Sequence, residues 1–384
     1  MSGYDVSALR AQFPILEHEV HGKPLVYLDN AATSQKPRAV LDVSRHYYEE
    51  QNSNIHRGTH HLAQIATAAH EEAREKVAVH LNASSKEEII FTSGTTDGIN
   101  LVATVLGYSG RIGKRDSILI SNLEHHSNTV PWQMLCERTG AELKVIPVRD
   151  DGTLELDAFH RFLDERPKLV ALTHISNAFG TVLPVKPLIQ AAHEAGALVL
   201  IDGAQAIPHL PVDVQALDVD FYVFSGHKVY APTGIGVLFG KREHLDDLPP
   251  WRGGGEMIKK VDYAGTTYND LPFKYEAGTP NIEGAIALGA ALDFLEGFDD
   301  LDAAAHATSA GMDLRFDDPD RSAQLARRSH RLFGRVGDAA AGRRNAVLRQ
   351  QALGLIFVNV HLFSGTPGPV VLLTDTPSST NQLG

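Results

Sequence analysis

Short apolar runs alternate through much of the chain with longer stretches whose apolar positions recur every three or four residues. The runs Leu25–Asp29, Glu88–Thr92, Ser117–Ser121, Glu142–Val148, Leu169–Ile175, Ala197–Asp202, Asp220–Ser225 and Ile235–Gly240 read as strands. Several are apolar without interruption, as expected of strands covered on both faces. Between them His61–Leu81 reads as a helix, with Leu62, Ile65, Ala66, Ala69, Ala73 and Val77 mostly on one stripe. Val185–Ala197 is another, with Gly196 as its stop. Strand and helix in alternation predict an α/β fold built on a mainly parallel sheet.

After about Phe298 the pattern dissolves into a stretch rich in Ala, Arg and Asp. Only Leu353–Phe363 and Gly368–Asp375 look strand-like there, and the tail from Thr376 reads as disordered. The chain of 384 residues suits one large domain plus a small one. Apolar residues make up 43%, an ordinary globular share, and no apolar run approaches the ~20 residues that span a bilayer. The N-terminus lacks the basic-then-apolar pattern of a signal peptide. A net charge of −12 disfavours nucleic acid as a partner and suits a soluble cytoplasmic enzyme. One cysteine, Cys136, allows no internal disulfide. The adjacent pairs His60–His61 and His125–His126 diverge on a helix, so no metal site is expected.

Four motifs fall at the C-terminal ends of expected strands, where parallel α/β sheets gather their ligands. In Ser93–Asn100, Gly94 permits close backbone approach, and Thr95 and Thr96 open a helix whose N-terminus suits phosphate. In Asn122–Asn128, His125 could stack on a planar ring or move protons. In Leu200–Ala206, Asp202 ends an apolar strand, where a carboxylate needs a cation or donors, and Gln205 follows one turn on. In Phe221–Gly236, Ser225 and His227 could bond a phosphate, and a desolvated Lys228 would have a lowered pKa and could form a Schiff base. Each motif alone also reads blandly, as a helix cap, a solvated loop histidine, a second cap or a surface turn. Together they make the set that pyridoxal phosphate demands: an anion cradle, a stacking imidazole, a carboxylate for a pyridinium and a lysine. A dinucleotide-binding enzyme fits less well, because no G-x-G-x-x-G follows a first strand.

The stretches "YLDNAATSQKP" (Tyr27–Pro37), "HRGTHHLA" (His56–Ala63), "GTTDGINLVA" (Gly94–Ala103), "THISNAFGTVLP" (Thr173–Pro184), "DGAQAIPHLPVDVQALDVDFYVFSGHK" (Asp202–Lys228), "PPWRGGGEMI" (Pro249–Ile258) and "YEAGTPN" (Tyr275–Asn281) resemble the SUF-type cysteine desulfurases, class V members of the fold-type I pyridoxal-phosphate enzymes. The resemblance covers about residues 10–298. It implies an aminotransferase-like large domain at 21–298 with a seven-stranded, mainly parallel sheet. It also implies that residues 1–20 join a small α+β domain, whose remainder would be the atypical, incomplete region 299–384. It makes Lys228 the lysine that carries pyridoxal 5′-phosphate and His125 the ring-stacking residue, both catalytic. Asp202 would pair the ring nitrogen and Gln205 the ring oxygen. Thr95, Thr96, Ser225 and His227 would hold phosphate, Asn177 would touch substrate or ring, and Thr279 would reach the phosphate of a neighbouring subunit in a homodimer. The implied reaction converts L-cysteine to L-alanine and an enzyme persulfide, whose sulfur passes to a SUF acceptor protein for iron–sulfur assembly.

The departure from that family is at the nucleophile. The family's R-T-G-H-H-C-A segment and its carboxylate-binding arginine have no counterpart here, and Cys136 falls at a position the family does not use. We read the region after about residue 298 as replaced or frame-shifted, with divergence as the alternative. Two other functions follow from the same residues: a selenocysteine lyase-like enzyme, or an inactive cofactor-binding homologue.

Overall fold

The computed structural model describes residues 6–299. Both C-terminal strand readings, Leu353–Phe363 and Gly368–Asp375, and the small-domain assignment of 299–384 lie outside the described residues. Seven strands form one sheet: β1 (Ile89–Thr92), β2 (Ser117–Ser121), β3 (Glu142–Ile146), β4 (Leu169–Thr173), β5 (Leu198–Asp202), β6 (Phe221–Ser225) and β7 (Gly236–Gly240). Their order is β3-β2-β4-β5-β6-β7-β1. β7 runs antiparallel to both its neighbours, and the other pairings are parallel. This is the seven-stranded, mainly parallel sheet that the resemblance implied.

The reason is legible in the strands. Every residue of β1, β2, β4, β6 and β7 is buried, because helices cover both faces. Along β6, Tyr222 and Phe224 enter one apolar cluster, and Phe221 and Val223 enter the other. The first cluster is closed by α2 (His61–His80), α5 (Leu156–Asp164), α6 (Val185–Glu194) and α7 (Ile282–Asp299), preceded in the chain by α1 (Arg38–His46). The second is closed by α3 (Thr95–Tyr108) and α4 (Val130–Thr139), through Ile99, Val102, Trp132 and Leu135. Gly196 follows α6 as expected.

Two expectations change. Leu25–Asp29 is not a strand: Val26 and Leu28 are 68% and 46% exposed. The Tyr27 hydroxyl instead donates to the Thr33 carbonyl at 2.8 Å, folding the segment over the sheet's ligand-binding edge. On α2 the buried stripe runs through Ala63, Ala66, His70, Ala73, Arg74 and Val77, and Leu62 is exposed. The helix is rotated so that an arginine enters the core.

That arginine serves the edge strand β1. Its guanidinium meets Glu276 bidentately, at 2.7 and 2.9 Å, and donates to the Ile89 carbonyl at 2.9 Å. Glu276 accepts the Phe91 N–H at 2.7 Å. Beside this pair, ligand atoms of His56, His70 and Glu71 lie within 4.8 Å of one another. The cation already there is Arg74, whose Nε is 3.5 Å from Glu71, so the group reads as a charge network.

At the opposite, N-terminal edge of the sheet, Asp220 is 3% exposed. It bonds His193 at 2.9 Å, His244 at 3.0 Å and the Val199 N–H at 2.7 Å, with Lys241 at 3.2 Å. Burial pushes its pKa up, but these partners outweigh burial and hold it at about 2. A carboxylate depressed in the fold adds stability that is complete above its unfolded pKa and is lost as pH falls through the folded one. Asp220→Asn should therefore cost about 2 kcal/mol at pH 7. In denaturant titrations the gap to wild type should narrow steadily from pH 5 towards pH 2; a gap independent of pH would contradict the assignment.

Candidate active site

The C-terminal ends of β1, β2, β4, β5 and β6 open on one cleft of about 460 Å³. Thr95, Thr96, His125, Asn177, Asp202, Gln205, Ser225, His227 and Lys228 all line it. Thr279 does not line this cleft and stands exposed on the loop after Glu276.

The anion cradle forms where β1 turns into α3. Gly94 has φ +147° and ψ 179°, a conformation suited to glycine. A Cβ on Gly236, the first residue of β7, would lie 2.4 Å from the Gly94 Cα and 2.7 Å from the Phe224 carbonyl. The missing side chain at Gly236 lets the β1 turn close on the end of β6. Ser225 Oγ then meets both the Thr95 N–H and the Thr95 hydroxyl at 2.8 Å. Gly94 has no side chain to cap α3 and Ser225 takes the Thr95 N–H, so it is the following first-turn N–H groups and the helix dipole that are available to an anion.

Burial sets the charges. Lys228 is held below its ordinary pKa by desolvation, with Asp202 opposing. Asp202 is 4% exposed, and desolvation raises its pKa against the Ala204 N–H and Lys228. Among the described residues only Oδ1 is engaged, by the Ala204 N–H at 2.9 Å, so the capping role and a second, ligand-facing role are compatible. His125 and His227 are both lowered, first by burial and then by nearby positive charge. The Ser127 N–H donates to His125 Nδ1 at 3.1 Å. A backbone N–H can only donate, so Nδ1 is bare and the neutral ring carries its proton on Nε2. Gln205 is turned partly away, with Nε2 on the Ala31 carbonyl at 2.8 Å.

These residues fit pyridoxal 5′-phosphate: an uncapped helix N-terminus for the phosphate, a neutral imidazole, a buried carboxylate with a spare oxygen, and a desolvated amine. The sequence reading missed three groups. Asp29, Ala31 and Ala32 line the cleft, from the end of a segment read as a strand and the residues just after it. Ser127 and Thr173 line it too. Glu124 immediately precedes His125 and is bonded by Ser121 at 2.5 Å and Asn128 at 2.6 Å, with Trp132 bonding Asn128 at 2.9 Å. Burial pushes Glu124 up to about 8 despite those bonds. Its place next to a strand-end histidine was the available signal.

Cys136 lies on α4, packed against the second apolar cluster, and is not among the residues lining the cleft. Burial, and then Glu142, raise its thiol pKa.

The sequence matches the Aminotransferase class-V family over residues 26–316. It is 53% identical over 302 residues to the probable cysteine desulfurase of Vibrio cholerae, covering 79% of this chain and 74% of that one. It is 54% identical over 293 residues to a cysteine desulfurase of an Enterobacter species, covering 76% and 72%. Among solved structures it resembles the cysteine desulfurase CsdA of Escherichia coli in its S-sulfonic acid form, with TM-score 0.70, 43% identity and coverage of 77% and 72%. It also resembles the apo cysteine desulfurase of Thermococcus onnurineus, with TM-score 0.72, 38% identity and coverage of 78% and 72%.

Asp202→Asn keeps an acceptor for Ala204 but removes the charge. A charged hydrogen bond is worth roughly 1.5–3 kcal/mol, so pyridoxal phosphate affinity, measured by absorbance titration, should fall at least several-fold. Unchanged affinity would leave Asp202 as a cap alone.

Proposed function

The chain belongs to the aminotransferase class-V family, and we propose that it is a pyridoxal 5′-phosphate-dependent cysteine desulfurase of the SUF type, built to act on L-cysteine. The observation that carries this reading is the convergence of Lys228, Asp202, His125 and the uncapped start of α3 in one cleft.

Lys228 supplies the amine that would carry the cofactor. Its desolvation enlarges the neutral, nucleophilic fraction near neutral pH. The same Nζ, when not carrying the cofactor, would be able to take and return the substrate Cα proton. Asp202 offers its spare oxygen to a protonated ring nitrogen, whose charge would offset the desolvation of the carboxylate. Thr95, Thr96, Ser225 and His227 hold the phosphate, and Asn177 and Gln205 orient the remaining polar edge. When bound, the cofactor supplies an electron sink for charge developing at the substrate Cα. His125, neutral with a proton on Nε2, can pack on a flat ring and pass that proton without carrying charge into the cleft.

Release of sulfur as a persulfide also needs a soft thiolate. Cys136 is the chain's one cysteine, and its raised pKa and its place outside the cleft lining argue against that role. We therefore read the chain as competent in cofactor chemistry and deficient in sulfur transfer. On the same reading residues 21–298 are the cofactor domain and 1–20 join a small domain with 299–384. The chain pairs as a homodimer in which Thr279 completes the neighbour's phosphate site, and the sulfur serves a SUF acceptor in cytoplasmic iron–sulfur assembly. The exposure of Thr279, and its absence from the lining of its own cleft, support a site completed by a neighbour.

Purified protein should bind pyridoxal phosphate, and borohydride should fix the cofactor to a peptide containing Lys228; the same fixation in Lys228→Ala would refute the assignment. With saturating L-cysteine and reductant, alanine should form slowly or not at all, and selenocysteine, with its better leaving group, should turn over faster. Robust alanine release that survives Cys136→Ser would mean another nucleophile operates. Release abolished by that substitution would mean Cys136 reaches the cleft. Tight cofactor binding with no turnover of either amino acid would favour the inactive homologue.

A further inference from the structure

The carbonyl of His227, the oxygen of the peptide bond leading into Lys228, is the target of four donors. They are the Ser34 N–H at 3.0 Å, the Ser34 hydroxyl at 3.0 Å, the Thr33 hydroxyl at 3.2 Å and the Lys36 ammonium at 3.0 Å. A carbonyl oxygen has two lone pairs, so this one is more than saturated. All four donors come from one short stretch almost two hundred residues earlier in the chain. Ser34 Oγ also accepts the Tyr230 N–H at 2.8 Å, so the stretch grips the backbone on both sides of Lys228.

We propose that Lys36 is a positioning residue for Lys228: with Thr33 and Ser34 it clamps the His227–Lys228 peptide, and its ammonium is the charged member of that clamp. A side chain that must swing between carrying a ligand and moving a proton needs a fixed root, and the root here is a peptide unit at the end of a three-residue helical turn, Gly226–Lys228. Lys36 also donates to the Ser34 carbonyl at 2.5 Å. Among the described residues it forms no salt bridge, so its charge is solvated by backbone oxygens instead. A charge-assisted hydrogen bond is stronger than a neutral one. That Lys228 is the reactive amine rests on the function proposed above, whereas the clamp itself does not.

Burial lowers the Lys36 pKa to about 8, so the charge on the clamp can be removed without mutation. The titratable side chain facing it is His227, itself lowered below 6.5 by burial, Lys228 and Lys36. That shift moves the His227 titration away from the alkaline range compared below. Two residues along, Arg38 is exposed and paired with Glu17. Lys228 can also lose its proton in the alkaline range, and it is present in every variant used below.

The test is amide hydrogen exchange of the peptide spanning residues 226–231, corrected for intrinsic rates, at pH 7 and pH 9.5. Cofactor-free wild type, Lys36→Met and Lys36→Arg are compared, together with each protein's rate of pyridoxal phosphate uptake at pH 7. Lys36→Met should lose about tenfold in protection at pH 7, the scale of one charged hydrogen bond, and should take up cofactor more slowly by a similar factor. Lys36→Arg should restore both. Wild type should lose protection between pH 7 and 9.5, while Lys36→Arg keeps it. Any of three results would overturn the proposal: unchanged exchange in Lys36→Met, equal loss in the Met and Arg variants, or faster exchange with unchanged cofactor uptake. If wild type binds no cofactor yet the exchange pattern holds, the clamp stands and the function proposed for Lys228 falls.

Discussion

The fold depends on how an edge strand is finished. β1 pairs with β7 on one side only, yet it is wholly buried. Its outward Ile89 carbonyl and Phe91 N–H would be unpaired polar groups in the core, a costly arrangement. Arg74 and Glu276 replace the missing strand: the arginine donates to one group, the glutamate accepts from the other, and the two neutralise each other. A buried ion pair adds little net stability over a well-packed apolar pair, but losing one partner costs several kcal/mol. What the pair secures here is placement. β1 runs directly into the Gly94–Thr95 turn, and Glu276 begins the loop that carries Thr279, so one contact positions both proposed phosphate-binding elements.

Two buried aspartates at opposite edges of the sheet show how surroundings assign chemistry. Asp220 and Asp202 are equally hidden. Asp220 is met by two imidazoles, an ammonium and a backbone N–H, and stays ionised to about pH 2. It is a structural anion with no capacity to spare. Asp202 has one backbone donor and the opposing charge of Lys228, and desolvation raises its pKa. It sits at the edge where strand ends and helix starts converge, poised for a cation it does not itself provide. Lys228, His125 and His227 are likewise driven towards their neutral forms. A cleft whose groups are each shifted by burial towards their neutral forms is suited to a ligand that brings its own phosphate and ring charge.

Much of this was legible in the sequence. Short apolar runs marked all seven strands of the sheet, most of them uninterrupted because strands covered on both faces leave no polar alternation; the edge strand β3, with Glu142 and Lys144, is partly exposed and is the exception. The four motifs lay at strand ends, and nine of the ten expected site residues share one cleft, because a parallel sheet delivers those ends to the same edge. Local sequence also predisposed Gly94 to its turn and Thr95 to its helix start.

Tertiary structure decided the rest, wherever a residue's role depends on a partner distant in sequence. Leu25–Asp29 has the composition of a strand, but it is held by the Tyr27 hydroxyl on the Thr33 carbonyl and became a strap beside the cleft that Asp29 lines. Arg74 would be placed on the solvent face of its helix by periodicity; only Glu276, some two hundred residues later, makes its burial tolerable. Lys36 looks like an ordinary loop lysine until the His227 carbonyl lies 3.0 Å away. The pKa directions of Asp202 and Asp220 could not be read from two similar strand-edge aspartates, because donor count and desolvation exist only in the folded chain. Sequence determines local geometry and the pattern of burial, through sterics and hydrophobic period; charge state and long-range hydrogen bonding are set by which groups the fold brings within 3 Å of one another.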